Sequence, residues 1–79
     1  GEKTGNGKEY ILNKNILKYE GEYLNGKRNG KGKEYNKYGE LRFEGEYKYG
    51  KRDGKGNEYY NNGKLKFKGE FLNGNRWIW

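Results

Sequence analysis

The sequence predicts an all-β fold: an elongated, single-layer antiparallel meander of about three β-hairpin repeats, without helices. Three observations predict this fold. A stretch of the chain recurs at a fixed spacing of 24 residues. Within each copy, apolar and charged residues alternate with the period of a half-buried strand. Residues that favour turns separate these alternating segments, and proline is absent.

The repeat is clearest in the stretch 19–35, which returns as 43–59 and begins a third time at 67–76. Residues 5–10 match residues 30–35, at an offset of 25. A period in this range indicates an array of stacked structural units. We interpret the chain as one array, with a partial repeat 1–18, repeats 19–42 and 43–66, and a partial repeat 67–79. Because the chain starts within a repeat, we expect a fragment of a longer chain.

Alternation within each copy predicts the strands. Tyr19, Gly21 and Tyr23 fall on one face of a strand, and Glu20 and Glu22 fall on the other. The later copies repeat this pattern. It predicts six strands, at about 7–12, 16–24, 31–36, 40–48, 55–60 and 64–72.

Two kinds of connection should join these strands. Asn62-Gly63 is a favoured two-residue hairpin turn, because both residues tolerate a positive φ. Tyr38-Gly39 occupies the matching place one copy earlier, and the turn at 13–15 is one residue longer, which accounts for the offset of 25. At the other end of the strands we expect wider loops with two glycines, over 25–30, over 49–54 and from residue 73 onward.

The chain has too few aliphatic residues for an ordinary core. Only 29% of its residues are hydrophobic, nine are tyrosines, and alanine, valine and methionine are absent. Aromatic rings should therefore cover the mid-strand glycines Gly21, Gly45 and Gly69, for instance Tyr35 over Gly45 or Gly21. We also expect the sheet to need neighbouring repeats, a partner or self-association for its stability.

The row of rings is the first candidate surface. It either substitutes for a core or forms a shallow groove that binds an extended peptide, an amphipathic helix or a second copy of the chain. The candidate partner-binding face consists of Tyr19, Tyr23, Tyr35, Phe43, Tyr47, Tyr59, Phe67 and Phe71.

The basic residues give the second candidate surface. A formal net charge of +7 favours anionic partners in general. Lysine and arginine recur at one place in the predicted wide loops, so one rim of the sheet should be cationic. That rim either meets anionic lipid head groups or acidic protein segments, or keeps the edge soluble. It consists of Lys27, Arg28, Lys51, Arg52 and Arg76.

Catalytic and metal-binding arrangements are missing from the sequence. Serine, cysteine and histidine are absent, so the common catalytic triads and zinc sites cannot be built. Glu20 and Glu22 stand roughly 7 Å apart on one strand, as Glu44 and Glu46 do, but nothing in the sequence encloses either pair. We interpret them as a solvated strand face, and we expect no enzyme activity, no cofactor and no metal site.

The same residues resemble the MORN family (membrane occupation and recognition nexus), whose signature is roughly Tyr/Phe-x-Gly-x-Trp/Tyr-x-x-Gly-x-x-x-Gly-x-Gly. The matching residues are Tyr19, Gly21, Tyr23, Gly26, Gly30 and Gly32, then Phe43, Gly45, Tyr47, Gly50, Gly54 and Gly56, and finally Phe67, Gly69, Phe71 and Gly74. Tyrosine or phenylalanine replaces the usual tryptophan after the first glycine. The resemblance implies β-hairpin repeats in a row, with roles in scaffolding, dimerisation and phospholipid contact, and no catalysis by the repeats.

Two functions compete on this basis. The first is a non-catalytic module that binds a protein segment or a second copy of itself through the ring-lined face. The alternative is peripheral binding to anionic phospholipid membranes through the basic rim. Nucleic acid is disfavoured, because glutamates alternate with the basic residues. We expect a cytoplasmic location, with peripheral membrane attachment under the alternative.

Overall fold

A computed structural model describes residues 4–77 of the chain. These residues form one open sheet of seven strands in sequence order, with every neighbouring pair antiparallel and with no helix. The sheet is elongated, with extents of 40 × 25 × 15 Å. Its strands are β1 (Gly5–Tyr10), β2 (Leu17–Leu24), β3 (Lys27–Tyr35), β4 (Leu41–Lys48), β5 (Lys51–Tyr59), β6 (Leu65–Leu72) and β7 (Asn75–Arg76). The predicted all-β meander is confirmed.

One end of the sheet, the tight-turn end, has two-residue turns where wide loops are predicted. Asn25-Gly26 alone joins β2 to β3, and both residues have a positive φ, 50° and 81°. This is the conformation of a type I′ turn, whose twist suits a two-residue hairpin. Tyr49-Gly50 joins β4 to β5 in the same way, and Asn73-Gly74 leads into β7, a strand that the sequence pattern does not predict.

Strand β3 reaches the turn because it contains a bulge. Tyr23 pairs with Arg28 and Gly21 pairs with Gly32, so a single residue of β2 faces three residues of β3. The middle one, Gly30, has a φ of 92°. Strand β5 has the same irregularity in its pairing with β4. The prediction of wide loops is wrong because the second glycine of each predicted loop, Gly30 or Gly54, lies inside a strand, where it forms part of a bulge.

The other end of the sheet, the wide-loop end, has longer connections. The loop over 36–40 is closed by a backbone hydrogen bond between its first and last residues, with Gly39 at a φ of 82°. The loop over 60–64 is closed in the same way, so Asn62-Gly63 does not form the predicted two-residue turn. The loop over 11–16 is one residue longer, as predicted. Three residues lie between each hydrogen-bonded pair, 37–39 and 61–63, and three-residue hairpin loops commonly end in a glycine of this conformation.

The core of the sheet is a row of rings that lies on its glycines. Tyr19 and Phe43 are 0% exposed, and Tyr23, Tyr47 and Phe71 are at most 8% exposed. A Cβ atom on Gly45 would stand 2.9 Å from Cζ of Phe43 and 2.6 Å from the backbone of Gly56. Glycine is therefore the residue type that fits between the ring and the neighbouring strand.

The predicted ring cover over the strand glycines is confirmed, but its source differs from the expectation. The ring that covers each of Gly21, Gly45 and Gly69 stands two residues earlier on the same strand. Tyr35 covers neither Gly21 nor Gly45. It lies on the opposite face, because its neighbour Glu34 pairs with Tyr19 and successive side chains alternate between faces.

Candidate interaction surfaces

Six of the eight residues in the predicted partner-binding face form one continuous row of rings. Neighbouring rings meet edge to face, with centroids 5.1–5.6 Å apart. Each such contact contributes about 0.5–1.5 kcal/mol beyond the buried area. The row runs Tyr23, Tyr19, Tyr47, Phe43, Phe71, Phe67. The other two, Tyr35 and Tyr59, lie on the opposite face and donate hydrogen bonds to Glu20 and Glu44 at 3.0 and 3.5 Å.

Arginine side chains cover the row of rings. Their guanidinium carbons lie 4.1–4.6 Å from ring centres, within the range of a cation–π contact. The pairs are Arg28 over Tyr19, Arg52 over Phe43 and Arg76 over Phe67. The row therefore substitutes for a core, and a partner on this face would meet arginine and glutamate before any ring.

The residues of the predicted cationic rim are not brought together. The two-residue turns place Lys27 and Arg28 at the start of β3, where successive side chains point to opposite faces. Lys27 and Lys51 are exposed. The side chains of Arg28 and Arg52 are only 18% and 17% exposed and belong to the ring face. The expectation that these pairs lie in loops is wrong, because the strands extend to the turns.

Three glutamates and three arginines alternate across the ring face in what we call the Arg–Glu ladder. Three pairs reach over an intervening strand, with N···O distances of 2.6–2.9 Å. Two further pairs lie along one strand, at 3.2 and 3.9 Å. In order, the ladder consists of Glu9, Arg28, Glu34, Arg52, Glu58 and Arg76. The charges of the three arginines in the predicted rim are thus neutralised.

The glutamates of the ladder are not among the predicted site residues, although the sequence contains a signal for them. A glutamate follows Arg28 and Arg52 at a distance of six residues, and Glu9 holds the matching place in the partial first copy. Each one directly precedes a tyrosine. The alternation pattern places them on the ring face only once the register of neighbouring strands is known.

Tyrosine hydroxyls of the ring row also bind the ladder. Tyr23 donates to Glu9 at 2.5 Å, and Tyr47 donates to Glu34. Burial, followed by the hydrogen bond to Glu34, raises the pKa of Tyr47 well above its usual value, so this hydroxyl stays protonated and keeps donating. Phe71 holds the equivalent place beside Glu58 and has no hydroxyl to donate.

The ladder lowers the pKa of its carboxyl groups. At Glu9 the main cause is the hydrogen bond from Arg28, which outweighs the opposing effect of burial. At Glu34 burial is the largest single influence and raises the pKa. The hydrogen bonds from Arg52 and Tyr47 together exceed it, so the pKa of Glu34 ends below its usual value. Both carboxylates are therefore ionised in the neutral range.

Glu34→Gln is expected to weaken the dependence of the free energy of unfolding on pH at acidic pH. Because the pKa of Glu34 is lower in the folded chain, its carboxylate adds stability above the ordinary value of 4.5 and loses it as the pH falls further. At pH 7 the variant should be less stable by about 1–3 kcal/mol. Urea denaturation at several pH values between about 3 and 7 measures both effects. Glu70→Gln, on the exposed face, is the control, and an equal flattening in that variant would contradict the prediction.

The opposite face of the sheet carries two rows of alternating charge. Lys33 pairs with Glu20 on one side and with Glu44 on the other, where its Nζ lies 3.8 Å from the carboxylate. Opposite charges across strands stabilise a sheet, and like charges destabilise it. In the last copy Lys68 stands where a glutamate stands earlier, and its partner is Asn57 instead of a lysine. The paired change avoids two lysines side by side.

An open groove of about 650 Å³ runs across this face from β2 to β5. Its floor is the backbone of the central glycines, such as Gly32 and Gly45. Its walls are the two charged rows, with lysine and glutamate in alternation, for example Lys33 and Glu46. The walls of the groove carry charges of both signs, so the groove suits a segment with charges of both signs.

The excess positive charge of the described residues lies mainly at the wide-loop end. The Arg–Glu ladder contains equal numbers of both signs, and so do the two rows of the opposite face. At the wide-loop end six basic residues accompany one acidic residue, Glu40. The six are Lys14, Lys18, Lys37, Arg42, Lys64 and Lys66, and all are exposed.

Apolar side chains stand out from the same end of the sheet. Leu12 is 85% exposed, Tyr38 is 70% exposed and Tyr60 is 52% exposed. The loops lie side by side, since the amide of Asn36 donates to the side-chain oxygen of Asn61 at 3.3 Å. Lysines among projecting apolar tips thus form one surface. This surface is not among the predicted ones, because its lysines recur less regularly along the sequence than those beside the tight turns.

The described part of the chain contains neither a cluster of metal ligands nor a membrane-spanning helix. Residues 4–77 contain no group of three acidic side chains placed to hold a metal ion. Nor does this part of the chain contain a helix with the length and apolar character that crossing a bilayer requires.

Comparison with known protein families identifies the repeat. The model of the MORN repeat matches residues 19–37 and 43–64, which fall inside the two repeats 19–42 and 43–66. Searches of curated proteins and of solved structures gave no match. The matched segments span more than half of the chain, and each contains a buried ring, the glycine beneath it and a tight turn. The chain therefore belongs to the MORN repeat family.

Proposed function

We propose that the chain is a non-catalytic docking module that binds anionic phospholipid membranes peripherally through its wide-loop end. MORN repeats are modules for protein or membrane-lipid interaction and are generally not catalytic. The observation that carries the membrane assignment is that the wide-loop end combines the larger excess of positive charge, six basic residues against Glu40, with projecting apolar side chains. The tight-turn end also exposes Tyr49, but only three lysines and Asp53 lie there. This moves the predicted membrane contact from the tight-turn end to the opposite end.

The two components of this surface act together. A basic residue close to an anionic membrane contributes about 1 kcal/mol, and the attraction fades within a Debye length. Leucine and tyrosine at the tips can enter the interfacial layer, where amphipathic rings are favoured. Weak attachments of this kind give stable binding only in combination. Lys14, Lys37 and Lys64 lie in the loops that carry Leu12, Tyr38 and Tyr60, so both contributions arise from one set of loops.

Vesicle sedimentation tests the proposal. The chain should sediment with vesicles that contain about 30% phosphatidylserine at about 0.05 M salt, and largely dissociate at about 0.5 M, because salt screens exposed charges. Neutral phosphatidylcholine vesicles should leave it in solution. The triple variant Lys14→Glu, Lys37→Glu, Lys64→Glu should lose the binding.

The matched control reverses three lysines at the tight-turn end, Lys27→Glu, Lys48→Glu and Lys51→Glu, and changes the net charge equally. It should retain most of the binding. Equal loss in both triple variants would mean that net charge alone acts. Failure of the unmodified chain to bind at low salt would reject the membrane assignment.

A protein partner is the second candidate function, and the groove on the charged face is the observation that favours it. An extended segment with charges of both signs fits the alternating walls near Lys33 and Glu46. The ring face would meet a partner only through the Arg–Glu ladder. Absence of binding to anionic vesicles at both salt concentrations would favour this candidate. The cytoplasmic location stays a prediction under either function.

A further inference from the structure

One row on the charged face of the sheet alternates tyrosine with basic residues. Lys18, Arg42 and Lys66 each precede a residue of the ring face, so their side chains point to the charged face. Tyr35 and Tyr59 lie on the charged face as well. The strand register orders these residues, one from each of β2 to β6, as Lys18, Tyr35, Arg42, Tyr59 and Lys66. We call them the tyrosine–cation row.

The row crosses the sheet with a regular step. Neighbouring strands lie about 4.8 Å apart, so a tyrosine and the next basic residue are separated by about this distance. The two tyrosines are two strands apart, which corresponds to about 9.6 Å, and successive basic residues have the same separation. The row therefore offers two kinds of contact in strict alternation along one line.

The two tyrosines provide fixed rings with open surface. Each side chain is half-buried on the charged face. The hydroxyl of Tyr35 donates to Glu20 at 3.0 Å, and the hydroxyl of Tyr59 donates to Glu44 at 3.5 Å. Because the hydroxyl end is already held, such a ring loses little conformational freedom when a ligand stacks on it.

The row itself contains no acidic residue. Its three basic side chains are exposed. The adjoining carboxylates, Glu20 and Glu44, accept hydrogen bonds from the tyrosines, and Lys33 lies between them in the register, with its Nζ 3.8 Å from Glu44. Although glutamates alternate with basic residues along the sequence, the sheet register thus gathers positive charge and tyrosine rings into one row.

This alternation suits a particular kind of polymer. A sugar can stack its apolar C–H face on an aromatic ring, and a carboxylate pairs with lysine or arginine through charge-assisted hydrogen bonds. In an extended polysaccharide with equatorial linkages, each sugar advances the chain by close to one strand spacing. A peptide in the β conformation does not match this step, because its side chains recur on one face about every 6.8 Å.

We propose that the tyrosine–cation row binds a linear acidic polysaccharide in which neutral sugars alternate with uronates. The polysaccharide lies across the strands, with its neutral sugars stacked on Tyr35 and Tyr59. The uronate carboxylates pair with Lys18, Arg42 and Lys66. This binding is additional to membrane docking, since it depends on two tyrosines of the charged face that lie outside the apolar tips of the wide loops.

Fluorescence anisotropy with a labelled hexasaccharide tests the proposal. The probe alternates glucuronate with N-acetylglucosamine and is titrated with the full chain at about 0.05 M salt, where exposed charges are weakly screened. It should bind about tenfold more tightly than a hexasaccharide of N-acetylglucosamine alone, which has no carboxylate. It should also bind more tightly than a hexasaccharide of galacturonate, which has more carboxylates but axial linkages.

Three results with the unmodified chain would overturn the proposal. The first is absence of binding at about millimolar concentration of the chain. The second is equal or tighter binding of either control hexasaccharide, since the alternation of the two sugar types would then be irrelevant. The third is tighter binding of a single-stranded oligothymidylate, because rings among basic residues would then serve nucleic acid instead.

Tyrosine variants identify the row. Tyr35→Ala combined with Tyr59→Ala should weaken binding of the alternating probe about tenfold. The matched control, Tyr38→Ala combined with Tyr49→Ala, removes two tyrosines that are 70% and 72% exposed and lie outside the row, and it should retain the affinity. Replacing Tyr35 and Tyr59 by phenylalanine keeps both rings and should also retain most of the affinity. Equal affinities of the two alanine pairs would contradict the stacking.

A charge variant and a second readout complete the test. Arg42→Gln should remove most of the preference for the alternating probe over the neutral one, whereas Lys55→Gln, at an exposed position outside the row, should keep it. Equal preferences in these two variants would also overturn the proposal. The Tyr35 and Tyr59 alanine pair should still sediment with anionic vesicles, because the basic loops and their apolar tips are unchanged. Failure of glycan binding and failure of membrane binding are therefore distinguishable.

Discussion

Phe43→Ala is expected to lower the free energy of unfolding by about 3–5 kcal/mol. The Phe43 ring is 0% exposed and meets Tyr47 and Phe71 edge to face, at centroid distances of 5.6 and 5.1 Å. It also lies against Gly45 and Gly56 and beneath Arg52. Without the ring, the neighbouring rings and the glycine backbone are exposed to water, so the full transfer free energy of a buried aromatic side chain and its ring contacts should be lost.

Chemical denaturation followed by far-UV circular dichroism measures this loss. The matched control is Phe67→Ala, at the equivalent position one copy later, because Phe67 contacts a single ring, that of Phe71, and is only half-buried. We expect the control to lose about half as much stability, since buried area sets most of the cost. Equal losses of stability in Phe43→Ala and Phe67→Ala would contradict the prediction that burial of the ring sets the cost.

Gly45→Val is expected to be almost as damaging, with a loss of about 3 kcal/mol or more. A Cβ atom at this position would stand 2.6 Å from both the Cα of Gly56 and the carbonyl oxygen of Lys55. These are backbone atoms, which cannot rotate away as a side chain does. The substitution must therefore push β4 and β5 apart or expel the Phe43 ring.

Lys68→Val is the control for this substitution, because it places valine at an exposed position of β6, the equivalent strand of the next copy. Surface changes of this kind usually alter stability by about 0.5 kcal/mol or less. Valine also favours strands, which removes intrinsic propensity as the explanation for the loss in Gly45→Val. Equal denaturation midpoints for the two variants would contradict the steric account of the glycine row.

The sequence predicts the architecture because each copy repeats the same alternation of apolar and charged residues and the same turn residues. The period of 24 and the alternation around Tyr19, Gly21 and Tyr23 predict the order of the first six strands and six of the rings on the ring face. Ring cover over the glycines follows from the same pattern, since a glycine between two aromatic residues leaves room for one of them.

Turn positions could not be assigned in the same way, because both ends of the hairpins contain residues that tolerate a positive φ. Asn25-Gly26 and Asn62-Gly63 are the same dipeptide, yet the first forms a two-residue turn and the second lies in a wider loop. The difference depends on Gly30, whose bulge lets β3 extend to the turn. A bulge is a property of two paired strands, so a single strand's sequence does not reveal it.

The candidate surfaces were less predictable than the fold for the same reason. Once β3 extends to the turn, Arg28 lies on the ring face and joins Glu9 and Glu34, and the predicted rim loses its arginines. Tyr35 changes face through register alone. The wide-loop surface depends on tertiary exposure, which alternation does not encode for residues such as Leu12 and Tyr38.

The long links of the Arg–Glu ladder affect how the array comes apart. Arg28, Arg52 and Arg76 each reach over an intervening strand, and the Tyr19–Tyr47 and Phe43–Phe71 contacts also cross from one hairpin to the next. A terminal hairpin cannot peel away without breaking contacts of the unit behind it. Repeat arrays are coupled through such nearest-neighbour contacts. This array should therefore melt cooperatively, as one unit, instead of unzipping strand by strand.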